Sequence, residues 1–129
     1  MLIVKPILDK KLQEELGNIC GASFDPDCLA FSAYNNDVFI GFCQFSVCGK
    51  IATMLDVRSK PGIFDFEAMF IMSRGALNYI DLCGFHTAHC SRDAGDITLI
   101  RAIGFKENEN GILEMDLSSE FTGKCSNCK

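Results

Sequence analysis

Two histidines, eight cysteines and a few well-placed carboxylates are the groups in this 129-residue chain that could do chemistry. His86 and His89 stand three residues apart in FHTAHC, a run that reads as a strand. Side chains alternate between the faces of a strand, so these two project oppositely and cannot jointly hold a metal or act as a pair. Each therefore acts alone, and His89 has two readings: a general base at the strand end, or a hydrogen-bonded structural residue. Close to the C-terminus, GKCSNCK sets Cys125 and Cys128 in C-x-x-C spacing. That is half of a structural zinc site, which takes four Cys or His ligands. Cys20 and Cys28, or a second subunit, would have to supply the rest. A redox-active pair and a reduced tail are the other readings.

The remaining cysteines read as core residues. MLIVKPILDKK has only a short apolar run before Lys5, too brief for a signal-peptide core. Without secretion a disulfide framework is not expected, and Cys43, Cys83 and Cys90 sit in apolar-rich segments that suit cysteine as a small buried hydrophobe. No stretch approaches the roughly 18 apolar residues of a membrane span. The expectation is a soluble, cytoplasmic protein. Twelve basic against 17 acidic residues give a net charge of −5 with no compensating basic cluster, which argues against nucleic acid as a partner.

The elements that position these groups follow from patterning. The length suits one domain, placed at residues 1–120 with a tail over 121–129. Leu8, Leu12, Leu16 and Ile19 recur at helical spacing after Asp9, a ready N-cap, and predict an opening helix. Cys28–Tyr34 and Val38–Val47 read as strands joined through Asn35 and Asn36, residues that tolerate a tight hairpin. The second strand is apolar on both faces and is expected at the centre of a sheet. Ile51–Val57 follows, with Ile51, Thr53, Leu55 and Val57 on one face. A long helix over Phe64–Cys83 carries Phe66, Met69, Phe70, Leu77 and Ile80 as its buried stripe. It serves as a crossover, so the Ile51 and Phe85 strands should be parallel neighbours. A second helix closes with RAIGF, and a hairpin turning at Asn110 and Gly111 ends the domain, with Leu113, Met115 and Leu117 inward.

This order, with IATMLDV, then RSKPG, then the long helix, and later RAIGF, resembles the GNAT superfamily of N-acetyltransferases over about residues 1–120. The resemblance implies an α/β (α+β) fold with a central mixed, twisted sheet flanked by helices. It also implies acetyl-CoA as cosubstrate and an amine, on a small molecule or a protein, as acceptor. A homodimer is a family-level expectation. In family members the pantetheine arm lies in a wedge beside the strand matching Leu55 and Val57, and backbone N–H groups of a Q/R-x-x-G-x-G/A turn hold the pyrophosphate. The candidate cofactor residues are therefore Leu55, Val57, Arg58, Ser59, Lys60, Gly62, Ile63, Phe64 and Asp93.

The match at that turn is partial. Arg58 fits the first position, Pro61 stands where the first glycine belongs and donates no N–H, and Ile63 replaces the second small residue. Asp65 and Glu67 open the following helix, where carboxylates complement its dipole. Each would oppose a pyrophosphate by roughly 3 kcal/mol at about 5 Å and an effective dielectric near 20. The family's frequent general acid, a tyrosine four residues before the glycine matched by Gly104, is replaced by Ile100. Its pantetheine-contacting asparagine corresponds to Asp93, which is also an ordinary N-cap for the next helix. Asp56, on the strand bordering the wedge, and His89 are the candidate bases. Two functions follow: an acetyl-CoA-dependent N-acetyltransferase, or a catalytically inactive protein of this fold that binds another ligand or partner.

Overall fold

Asp9 accepts from the Lys11 amide at 2.9 Å and starts the first helix, as its position before the leucine repeat predicts. The computed structural model describes residues 1–119. Its elements are β1 (Leu2–Pro6), α1 (Lys10–Ile19), β2 (Leu29–Asn35), β3 (Val38–Cys48), β4 (Ile51–Ser59), α2 (Phe66–Leu82), β5 (Thr87–Cys90), α3 (Ile97–Ile103), β6 (Lys106–Glu107) and β7 (Leu113–Asp116). They form one seven-stranded sheet in the order β1-β2-β3-β4-β5-β7-β6. Every neighbouring pair is antiparallel except β4 and β5, whose parallel pairing the long crossover helix required.

Several local expectations change. β1 is an edge strand pairing Leu2–Pro6 with Asn35–Phe31, in a stretch to which patterning assigns no element. The β2–β3 turn is one residue later than expected, with Asn36 and Asp37 at φ of 51° and 69°. In α1 the buried face is Gln13, Leu16 and Gly17, while Leu8 is 87% exposed. Gly17 explains the rotation: a Cβ there would lie 3.3 Å from the Phe42 ring, so the bare backbone lets the helix settle on Phe42. In α2 the stripe includes Met69, Met72, Ala76, Leu77 and Ile80, whereas Phe66 in the first turn is exposed. Cys43 and Cys90 are buried, but Cys83, the C-cap of α2, is exposed.

Two apolar cores result among the described residues. The larger joins one side of the sheet to α2 and α3 through Phe45, Met54, Val57, Met69, Met72, Leu77 and Leu99. The smaller lies under α1 and includes Ile7, Leu16, Cys20, Ala30 and Phe42. β3 supplies both, as an apolar strand at the sheet centre should. Among the described residues no helix is long and apolar enough to cross a membrane.

Candidate functional site

The site is built around an irregularity in β4. Gln44 pairs with Asp56 and Phe45 with Met54, so Leu55 is an extra residue on β4, a β-bulge. The bulge breaks the expected alternation: Ala52 and Met54 face the larger core, and so does Val57, three residues on. Beyond the bulge β4 and β5 part. Their regular pairing ends at Met54 and Cys90, and the Ser91 amide adds a bond to the Met54 carbonyl at 3.0 Å.

The parting is short. The Val57 amide donates to the Ala94 carbonyl at 2.8 Å, and Val57 forms an isolated parallel bridge with Gly95. A Cβ on Gly95 would lie 2.0 Å from the Val57 carbonyl oxygen, so only glycine allows this approach. Arg58 Nη2 adds a bond to the Asp93 carbonyl at 2.9 Å. Only Leu55 and Asp56 on β4 remain between the two closures.

Cavities flank this crossing. One of about 480 Å³ is lined by Leu55, Asp56, Arg58, Ser91 and Asp93, by Gln44, and by the Gly21–Pro26 stretch of the α1–β2 loop. A second of about 280 Å³ lies among Cys20, Val57, Arg58, Ser59, Phe64, Gly95, Asp96 and Leu99. Arg58 lines both.

The floor of the larger cavity is a chain of buried polar groups. Gln13 Nε2 donates to Gln44 Oε1 at 2.8 Å, and Gln44 Nε2 donates to Asp56 Oδ2 at 2.9 Å and to the Ser23 carbonyl at 2.9 Å. Arg58 Nε donates to Asp56 Oδ1 at 2.7 Å. Gln13 and Gln44 are fully buried and Asp56 is nearly so, and each has its partners, as burial demands. Both Asp56 oxygens are engaged, one in an ion pair, so this carboxylate is built as a counter-charge. Gln44 was not singled out from sequence, although a lone amide in the apolar run VFIGFCQFSV is the signal that would have found it.

The turn after β4 is tied to β3 and to itself. The Lys60 amide donates to the Ile40 carbonyl at 2.8 Å and the Ile63 amide to the Lys60 carbonyl at 3.1 Å, with Gly62 at φ 86° between them. Pro61 has no N–H to offer. Asp65 then caps α2, its carboxylate accepting from the Ala68 amide at 3.0 Å where an anion would otherwise sit. With the Lys60 and Ile63 amides engaged and Pro61 lacking one, the turn as it stands leaves a pyrophosphate few backbone donors, and the Val57 amide is already bonded to the Ala94 carbonyl.

The other candidates separate. Asp93 lines the larger cavity but does not cap α3; that role belongs to Asp96, which accepts from Thr98 and Leu99. The pairing of Ala94 and Gly95 with Val57 delays the helix by three residues. His89 lines neither cavity: its Nε2 meets Glu114 Oε2 at 2.9 Å, across the β5–β7 pairing. His86 Nδ1 meets Asp81 Oδ1 at 2.6 Å. Ile100, in place of the family's tyrosine, is fully buried. Burial pushes the thiol of Cys20, beside the smaller cavity, up to about 11 although Arg58 pulls the other way, which leaves a poor nucleophile. Among the described residues no group of three His, Cys, Asp or Glu could hold a metal, and zinc finds no support there. Cys125 and Cys128 lie outside the described residues.

No family model matches the chain, and no curated protein matches it by sequence. Solved structures do. The PaiA N-acetyltransferase of Thermoplasma acidophilum, solved with coenzyme A, superposes with a TM-score of 0.68 at 13% identity, over 90% of this chain and 99% of that one. An IAA acetyltransferase from Bacillus cereus gives 0.71 at 15%, over 91% and 100%. A GNAT-family N-acetyltransferase from Escherichia coli in complex with CoA gives 0.66 at 15%, over 93% and 82%. The mixed seven-stranded sheet and its three helices are thus those of the GNAT N-acetyltransferase fold.

Proposed function

We propose that the protein is an acyl-CoA-dependent N-acyltransferase that moves an acetyl group from acetyl-CoA to an amine, with the acceptor in the larger cavity. The observation that carries this reading is the bulge at Leu55, which parts β4 from β5 beside two cavities that share Arg58. The fold is one whose solved examples include proteins bound to coenzyme A. In the transfer the amine nitrogen forms a C–N bond to the thioester carbonyl, the C–S bond breaks, sulfur leaves as thiolate, and the proton lost by the amine passes to water, from which the thiolate can be protonated. This chain's own contribution is binding and orientation. Arg58 and Lys60 supply positive charge at the turn, Ser59 and Phe64 wall the smaller cavity, and Asp93 presents a carboxylate to a cationic acceptor. Asp56 is held by Arg58 and is assigned no proton transfer.

A second reading, a binding or regulatory protein of this fold that uses no acyl-CoA, is favoured by the Val57 to Ala94 hydrogen bond and by Asp65 at the head of α2. Calorimetric titration of the reduced protein with acetyl-CoA and with CoA decides between them. The transferase reading expects micromolar binding, weakened about tenfold by Lys60→Ala, which removes a cation without touching the Arg58 contacts. No binding at millimolar ligand leaves the second reading standing.

A further inference from the structure

We infer that Asp93–Gly95 is a strap that gates the ligand groove along β4, closed in the structure described and displaced when an acyl-CoA binds. The inference rests on the transferase reading. The strap is held by the Val57 amide on the Ala94 carbonyl, which forms part of the Val57–Gly95 bridge, by Arg58 on the Asp93 carbonyl and by the Ala94 amide on the Ser91 carbonyl. It lies between the larger cavity, bounded by Leu55, Asp56 and Asp93, and the smaller, bounded by Ser59, Phe64 and Gly95. With the strap lifted, these become one groove running along β4 from the turn to the bulge.

The strap is placed to move. Each end is fixed independently of it, by Ser91 on the Met54 carbonyl before and by Asp96 capping α3 after. Ala94 is its single buried side chain, and Val57 is the core residue it covers. Its main hydrogen bond is replaceable in kind. The Val57 amide needs a carbonyl acceptor in an extended chain, and an amide-bearing arm such as pantetheine brings one. The ligand therefore exchanges with the strap and leaves no buried donor unpaired.

The test uses the full-length reduced protein, labelled with ¹⁵N, and CoA as the probe. In the wild type, CoA should shift the Val57 and Gly95 amide resonances more than those of β1 or β7. Gly95→Ala places a Cβ 2.0 Å from the Val57 oxygen and forces the two apart, so it should raise Val57 amide exchange at least tenfold and tighten CoA binding at least tenfold. Faster Val57 exchange with CoA affinity unchanged from the wild type overturns the gate and leaves the transferase reading intact. Unchanged Val57 exchange in folded Gly95→Ala overturns the closed contact itself. Faster exchange with no CoA binding to either protein sinks the transferase reading and the gate with it. If Gly95→Ala does not fold, the wild-type spectra decide: CoA binding that leaves Val57 and Gly95 unmoved overturns the gate.

Discussion

Arg58 Nε sits 2.7 Å from Asp56 Oδ1, and this pair determines what β4 can do. Asp56 is nearly buried while the Arg58 side chain is about a third exposed, so the arginine can be solvated without its partner and the aspartate cannot. Arg58→Ala should therefore destabilise the fold by about 1–3 kcal/mol, most of it the cost of a buried carboxylate left with Gln44 alone. Asp56→Asn keeps an acceptor for Gln44 and removes the charge, and should cost less. The decisive measurement is the double variant in urea denaturation. Arg58→Ala in the Asp56→Asn background should cost less than in the wild type, and simple additivity would show that the pair is not coupled.

Gly41 concerns the packing behind the same strand. A Cβ there would lie 2.3 Å from Met69 Sδ and 3.0 Å from the Arg58 carbonyl oxygen. Methionine can bend away, the β4 backbone cannot, and overpacking of this kind costs about 1–3 kcal/mol. Gly41→Ala is expected to lower the urea midpoint by a corresponding amount. In a Met69→Ala background part of the penalty should vanish. A penalty unchanged there would assign the strain to the backbone contact alone.

These two sites mark what the sequence could and could not tell. Capping and periodicity act locally, so Asp9, the α2 crossover and the inward Leu113, Met115 and Leu117 were legible. The β1 strand was not, because an edge strand needs only one partner and tolerates Lys5 and Pro6, while the partner lies some 30 residues away. The segment RDAGDIT offers two aspartates, each fit to cap a helix. Asp96 prevails because Ala94 and Gly95 are drawn into pairing with Val57, a long-range contact that no local signal encodes. The bulge at Leu55 was hidden for the same reason: it is a mismatch between two strands and exists in neither alone. The defects of the turn were legible, since proline's missing N–H and the charges of Asp65 and Glu67 are properties of single residues.

The thiols give a prediction with a definite sign. Burial pushes Cys43 and Cys90 up to about 12 and Cys20 and Cys28 up to about 11, against an ordinary value of 9.0. At neutral pH all four are protonated and inert. Cys48 and Cys83, the exposed thiols among the described residues, should be alkylated first by iodoacetamide, with the other four labelled only on unfolding. The same displacement links stability to pH. Between about pH 9 and about 12 the unfolded chain loses the Cys43 and Cys90 thiol protons that the folded chain retains, so stability is full below the ordinary thiol value and falls as pH rises. Melting temperatures measured across that window should decline, and the decline should be shallower in Cys43→Ala and Cys90→Ala than in the wild type. Identical slopes would show that these thiols ionise as readily in the folded protein as in the unfolded one.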